Sequence, residues 1–206
     1  MKEKLKHTLI QARNRWGASN SIRKDAKSKV TIGGNLLNTQ VKVGGNSELT
    51  IPEGCRIRNA TIEIRGNNNR VVLGEGVYMS GKIELVGDGN ELIIGKDTRI
   101  NGAELIIHNG TRVEIGEGSL FSTQIVLRTT DNHTIMNADG KRINPDEDIY
   151  IGKHVWICRM VTILKGSHVG DGTIVGAMSL VTGKIGENVI AAGVPAKTIR
   201  ENMSWK

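Results

Sequence analysis

Five histidines, His7, His108, His133, His154 and His168, are the side chains here best suited to moving a proton near neutral pH. An imidazole titrates at about 6.5, so its neutral form can take a hydroxyl proton as that oxygen attacks a carbonyl. His133 stands out. It lies in a polar, irregular stretch, and Asp131 precedes it by two residues. In an extended segment those two side chains share a face, so Asp131 would orient the imidazole or hold an acceptor hydroxyl; a turn or cap role is the alternative. Trp156 is a lone large aromatic whose indole N–H donates and whose ring offers an apolar surface. Arg128, Asn132 and Lys141 flank His133 and suit an anionic or polyhydroxylated acceptor. No Gly-Lys-Ser/Thr phosphate loop and no Cys/His spacing of a metal site occurs.

The element positioning these groups is a ladder over residues 151–186. Ile151, Ile157, Ile163, Val169, Val175 and Val181 open six consecutive blocks of six. The fifth position of each block is Val155, Val161, Ser167, Thr173, Ser179 or Ile185, small or β-branched throughout. A period of six matches neither a helix nor a simple strand alternation. It describes a short strand plus a corner, repeated, as in a parallel β-helix. Upstream, Leu73, Ile94 and Ile115 open similar blocks at intervals of 21; Ile51 lies 22 before Leu73, and Ile32 lies 19 before Ile51. Each turn is nominally 18 residues, and the extras fall on Gly/Asn-rich segments at 66–69, 87–90 and 108–110, which suit widened corners. About five loose turns are expected, followed by two tight ones from Ile151.

Composition agrees. The 206 residues include 26 glycines, 3 prolines and only 3% aromatics, so the core must be stacked Ile, Val and Leu. Between residues 128 and 150 the repeat fails, and an extruded loop of this length is expected to serve binding. The organisation read from the sequence is a basic helix or arm over 1–29, an all-β solenoid over 30–190 containing the 128–150 excursion, and a tail over 191–206. Residues 2–16 carry a partial apolar stripe and predict a short N-terminal helix capping one end; 17–29 read as a connector. The arm holds nine basic residues against two acidic ones, a balance of +7 that equals the net charge of the whole chain. Such an arm suits a peripheral membrane face or a polyanion, or merely aids solubility. Without a recognition motif or aromatic platform, nucleic acid is a poor partner. With no apolar signal core and with Cys55 and Cys158 in different repeats, the chain reads as cytoplasmic, its thiols buried and reduced.

The ladder, the segment Asp131, Asn132, His133, the segment His154, Val155, Trp156 and the closing Ala192, Gly193, Val194, Pro195, Ala196, Lys197 together resemble the hexapeptide-repeat acyltransferases. The likeness is nearest to the branch that O-acetylates bacterial surface polysaccharides and sialic acids. It covers about residues 115–206; residues 30–114 match in repeat texture alone. The resemblance implies a left-handed parallel β-helix, a hand opposite to the general crossover preference. It also implies homotrimers with acetyl-CoA in grooves between adjacent prisms, His133 as general base, and Trp156 near the acetyl group. For the coenzyme it points to Gly176, Ala177 and Ser179 along the pantetheine arm, to Ala192, Gly193, Pro195 and Ala196 at the adenine-side turn, and to Lys165, Lys197 and Arg200 at the phosphates. Two positions depart from the family pattern: Cys158 and Met178 stand where glycine is usual, which would narrow a corner or the cofactor groove.

The function expected on these grounds is acetyl-CoA-dependent O-acetylation of a bacterial cell-surface saccharide or its precursor. N-acetylation of an amino sugar uses the same base and donor and stays open. A non-catalytic solenoid scaffold is the bland alternative, and the polar excursion bearing His133 argues against it. A metal enzyme on the same scaffold, such as a γ-class carbonic anhydrase, needs two histidines five residues apart. His108, His133, His154 and His168 are separated by 25, 21 and 14 residues.

Overall fold

The computed structural model describes residues 19–206, so the helix expected over 2–16 lies outside the described residues. Every regular element described is a β-strand. The strands wind into a solenoid with three faces, met in the repeating order III, I, II. In the tight coils, Ile149–Ile151 lies on face III, Trp156–Ile157 on face I and Thr162–Leu164 on face II, before His168–Val169 returns to face III. Face III forms one sheet of eight strands. Faces I and II form a second sheet, because in the loose coils strands such as Arg56–Arg65 run continuously across the edge between them. Left-handed residues let them bend there: Asn38, Asn59 and Gly81 have φ of 49°, 48° and 110°.

Coil-to-coil pairing is parallel and in register, with Ile115, Ile151, Val169 and Ile185 stacked on face III. The six residues opening the hexads are at most 2% exposed, and the fifth positions at most 6%, so both read from the sequence as interior are interior. The last coil is shorter. Val169 pairs with Ile185, 16 residues on, whereas Ile151 pairs with Val169, 18 on. Phe121, the sole phenylalanine, is completely buried in this aliphatic column. Phe121→Ala is expected to cost about 3–5 kcal/mol, read as a lower urea midpoint, because neighbouring coils cannot collapse into the gap independently.

Face III also carries charges that alternate from rung to rung. Lys29 pairs with Glu48 at 2.8 Å and Arg70 with Glu91 at 2.5 Å. Arg112 bonds to Glu91 and, through its backbone N–H, to Asp148 at 2.8 Å. Exposed pairs of this kind add little energy individually. A slip of one coil would oppose like charges, so they favour the observed register.

Two boundaries move relative to the sequence reading. The coil begins before residue 30: Ser21–Lys24, within the expected connector, pairs with Gln40, Val41, Lys42 and Val43. Of the basic arm, Lys29 is therefore part of face III. The tail is partly regular, since Ile190–Gly193 and Ala196–Arg200 form an antiparallel hairpin against the last coil. Both cysteines are free; Cys55 is buried as expected, and burial pushes its thiol up to about 11, while Cys158 is only half-buried. Among the described residues no helix is long and apolar enough to cross a membrane.

Candidate active site

The excursion leaves the solenoid after Arg128 and rejoins it at Ile149, at the edge between faces II and III. Its neck is closed by the Glu147 N–H, which donates to the Thr129 carbonyl at 3.1 Å, and by the Asn109 amide, which donates to Asp146 at 2.9 Å. Asp146 is drawn two ways. Burial pushes its carboxyl up, while hydrogen bonds from Thr130 and Asn109 and the nearby Arg142 outweigh this and hold it below the ordinary value. One of its oxygens lies 3.2 Å from Arg142 as an ion pair without hydrogen-bond geometry.

Inside the loop the organising residue is Asn144, 8% exposed. Its amide donates to Asp131 at 2.9 Å and to the His133 carbonyl at 2.8 Å, and its oxygen accepts the Ile135 N–H at 2.7 Å. The turn bearing His133 is thus held by its backbone, and the His133 side chain is left exposed. The extended stretch expected across Asp131 and His133 is interrupted at Asn132, which has φ of 64° and bonds through its N–H to Thr130. Asp131 consequently faces Asn144 and Lys165.

Lys165 comes from the next coil, at the same edge. Its ammonium group is 2.5 Å from Asp131 and 2.9 Å from the Pro145 carbonyl. The sequence reading placed this lysine at a coenzyme phosphate; the structure makes it a clamp on the loop. The hydrogen bond from Lys165, then that from Asn144, holds the Asp131 carboxyl below its ordinary value against an opposing effect of burial. A depressed carboxylate stabilises the fold above its unfolded pKa, and that contribution disappears as pH falls through the folded value, so the clamp persists through the neutral range. Asn144→Ala removes three hydrogen bonds at once. Amide exchange at Ile135 is expected to accelerate about 10- to 100-fold.

Of the acceptor candidates, Asn132 and Lys141 are exposed on the loop, and Arg128 is half-buried at its root on face II. The Arg128 Nε is buried and has no hydrogen-bond partner among the described residues.

Trp156 lies elsewhere. It is half-buried on the outer side of face I, in a column with Leu120, Ile174 and Ile190. Arg200 occupies the next rung of that column. At about 4.8 Å per strand, three rungs put roughly 14 Å between Trp156 and Arg200. Beside this column runs a row of small residues, Cys158, Gly176 and Ala192, which follow in register from the same pairings. A Cβ on Gly176 would come within 3.0 Å of the Ala192 Cβ, so the glycine lets these two coils pack closely and keeps the row low. Ser179 ties this row to the hairpin, donating to the Gly176 carbonyl at 2.7 Å and accepting the Gly193 N–H at 3.1 Å. Gly193, Val194, Pro195 and Ala196 form the exposed hairpin turn, with Gly193 at φ of 106° and Lys197 exposed just beyond it. Ala177 is exposed at the neighbouring corner. Met178, where glycine was expected, has φ of 59°, the left-handed backbone that explains the usual glycine; its side chain is 67% exposed. Cys158 lacks this constraint and is not among the left-handed residues.

The two groups with most chemical interest are therefore separated within one chain. Face I lies opposite the edge where faces II and III meet, so His133 and Trp156 occupy opposite sides of the same prism. Among the described residues, no group of three or more His, Cys, Asp or Glu side chains is arranged to hold a metal ion.

No family model matches the chain. The crystal structure of the polySia-specific acetyltransferase NeuO superposes with a TM-score of 0.85 at 33% identity, over 91% of this chain and 89% of that one. The chain belongs to the hexapeptide-repeat acyltransferases. The polysialic acid O-acetyltransferase OatWY is similar over 91% of this chain and 90% of its own, with a TM-score of 0.70 and 26% identity. A shorter match reaches the putative lipopolysaccharide biosynthesis O-acetyl transferase WbbJ of Escherichia coli K12, 49% identical over 53 residues, 26% of this chain and 27% of that protein. The chain spans about a quarter of the length of the curated relatives it matches.

Around this loop the sequence singled out His133, Asp131 and Lys165 but not Asn144 or the pairing of Lys165 with Asp131. The pairs Asn144–Asp131 and Lys165–Asp131 are 13 and 34 residues apart, set by loop path and coil stacking rather than local pattern.

Proposed function

We propose that this protein transfers the acetyl group of acetyl-CoA to a hydroxyl of a sialylated or related bacterial surface saccharide, in the cytoplasm, as a homotrimer. The observation carrying this reading is the likeness to a polysialic acid-specific acetyltransferase along nearly the full length of both chains.

The site residues fit each task of such a transfer. The neutral imidazole of His133 takes the acceptor hydroxyl proton as the oxygen attacks the thioester carbonyl, then returns a proton to the leaving thiolate. Asn144, Asp131 and Lys165 fix the turn that presents it. The small-residue row at Gly176 and Ala192 admits a narrow pantetheine arm beside Trp156, whose indole N–H can face the reacting carbonyl. Lys197, paired with Ala192 at the end of the small-residue row, and Arg200, paired with Ile190 at the end of the Trp156 column, are both exposed and suit the phosphates. Arg128, Asn132 and Lys141 surround the root and arms of the loop for a carboxylated, polyhydroxylated acceptor. The opposite placement of His133 and Trp156 in one prism supports a site shared between copies, with the His133 edge of one seated at face I of its neighbour.

The test is thiol release from acetyl-CoA in the presence of a panel of neutral, amino and sialylated saccharides and polymers. Acceptor-stimulated release with a sialylated compound, and a base-labile acetyl ester in the product, is the expected result. Absence of stimulation by every acceptor, or an acetyl amide as the only product, would overturn the assignment to O-acetylation.

A further inference from the structure

The end of the chain returns to the solenoid and closes on the residues next to Trp156. After Arg200 the backbone folds back across the corner between faces III and I. The Met203 N–H donates to the Asn188 carbonyl at 2.8 Å. Two residues on, the Trp205 indole N–H donates to the His154 carbonyl at 2.7 Å. The His154 ring nitrogen lies 3.0 Å from the Trp205 carbonyl, and the two rings stack with centroids 4.1 Å apart and planes 3° from parallel. The same indole meets Trp156 at 5.9 Å and 46°, a tilted aromatic contact. Met203 and Trp205 are half-buried while Ser204 and Lys206 are exposed, as expected for an extended segment with one face against the body.

His154 is unusual for its position. The equivalent corner residues of the other coils are Gly54, Gly76, Asp97, Gly118, Gly172 and Asn188, and all have positive φ. His154 shares that left-handed backbone at φ of 52° and is alone among them in carrying a ring. A bulky residue at a corner favouring glycine needs a compensating contact, and the stack on Trp205 supplies it. Gly172, between His154 and Asn188 in this column, has no side chain to obstruct the returning segment.

We propose that Trp205, clasped by His154, is a positioning residue for Trp156: it holds the Trp156 indole in the orientation used in acetyl transfer. This rests on the reading of Trp156 as part of the transfer site. Removing the clasp frees Trp156 to change rotamer, which affects the reacting geometry more than the hold on the coenzyme.

The experiment compares Trp205→Ala, Trp205→Phe and His154→Gly in the full chain. Trp205→Ala is expected to lower kcat about tenfold with acetyl-CoA KM changed less than about twofold, since a small misplacement of a reacting group costs rate before it costs binding. Trp205→Phe keeps a ring between His154 and Trp156 and is expected to retain kcat within about threefold, and His154→Gly to behave as Trp205→Ala does. A second readout is independent of activity. The chain holds three tryptophans, so in a Trp16→Phe background both Trp205 variants report Trp156 fluorescence alone. Acrylamide quenching of Trp156 is expected to be about twofold stronger with alanine at 205 than with phenylalanine. Equal quenching in the two variants, or wild-type kcat in Trp205→Ala, would overturn the proposal. If the unaltered protein transfers no acetyl group, the proposed function fails and the quenching comparison alone decides whether the clasp holds Trp156.

Discussion

His133→Ala is expected to reduce acceptor-dependent acetyl transfer by about 10²- to 10⁴-fold, the range general base catalysis supplies, with the melting temperature within about 2 °C of the parent. The two halves of this expectation have separate grounds. The loss of rate follows from the chemistry of the transfer, because no other imidazole occupies the loop; His108 ends a strand on face II, and His154 and His168 sit on face III or its corner. The unchanged stability follows from position. The His133 side chain is exposed, and the turn is held through its carbonyl by Asn144, a contact that alanine keeps. Imidazole in the buffer should restore part of the lost activity. A variant that keeps the parent's rate would remove His133 from the mechanism.

The fold was legible because solenoid physics is local. From Ile151 each coil buries one aliphatic residue per face and one small or β-branched residue per corner, so the interior there is written into the sequence with a fixed period; Ile151, Ile157 and Ile163 could be placed without knowing anything else. Legibility declined where the period stops. The shortened last coil breaks the hexad at Val181, because Ile185 starts the next rung two residues early. Ser21–Lys24 is mostly polar and largely exposed, so its sequence resembles a connector even though its backbone completes a coil. The site was legible by residue type and illegible by contact. An imidazole, a carboxylate and an indole announce themselves, but the partner of Asp131 is a lysine one coil later, and the partner of His154 lies 51 residues away at the chain end. The one local signal for that second contact was present: a ring at a corner where the other coils place Gly, Asn or Asp. It identifies an anchor only once the left-handed backbone there is known.

Mixing two inactive variants is expected to restore activity, and this follows from the prism itself. In a three-faced solenoid an edge and the face opposite it cannot approach each other, whatever the side chains do. The loop bearing His133 is tied to the edge between faces II and III by Lys165 and the neck contacts, and Trp156 is fixed on face I by its register with Leu120 and Ile174. A reaction using both groups must draw them from two copies. His133→Ala and Trp156→Ala subunits, each nearly inactive alone, then complement when assembled together. In a trimer, every assembly that contains both variants holds one intact site of three, so assemblies purified through both tags should recover roughly a third of the parent activity. The measurement is acetyl transfer by co-expressed, differently tagged subunits purified through both tags, with mass in solution confirming multiples of 22.4 kDa. Doubly tagged assemblies that stay as inactive as either variant would mean that the site is complete within one chain, and the separation of His133 from Trp156 would then require a different partner for the base.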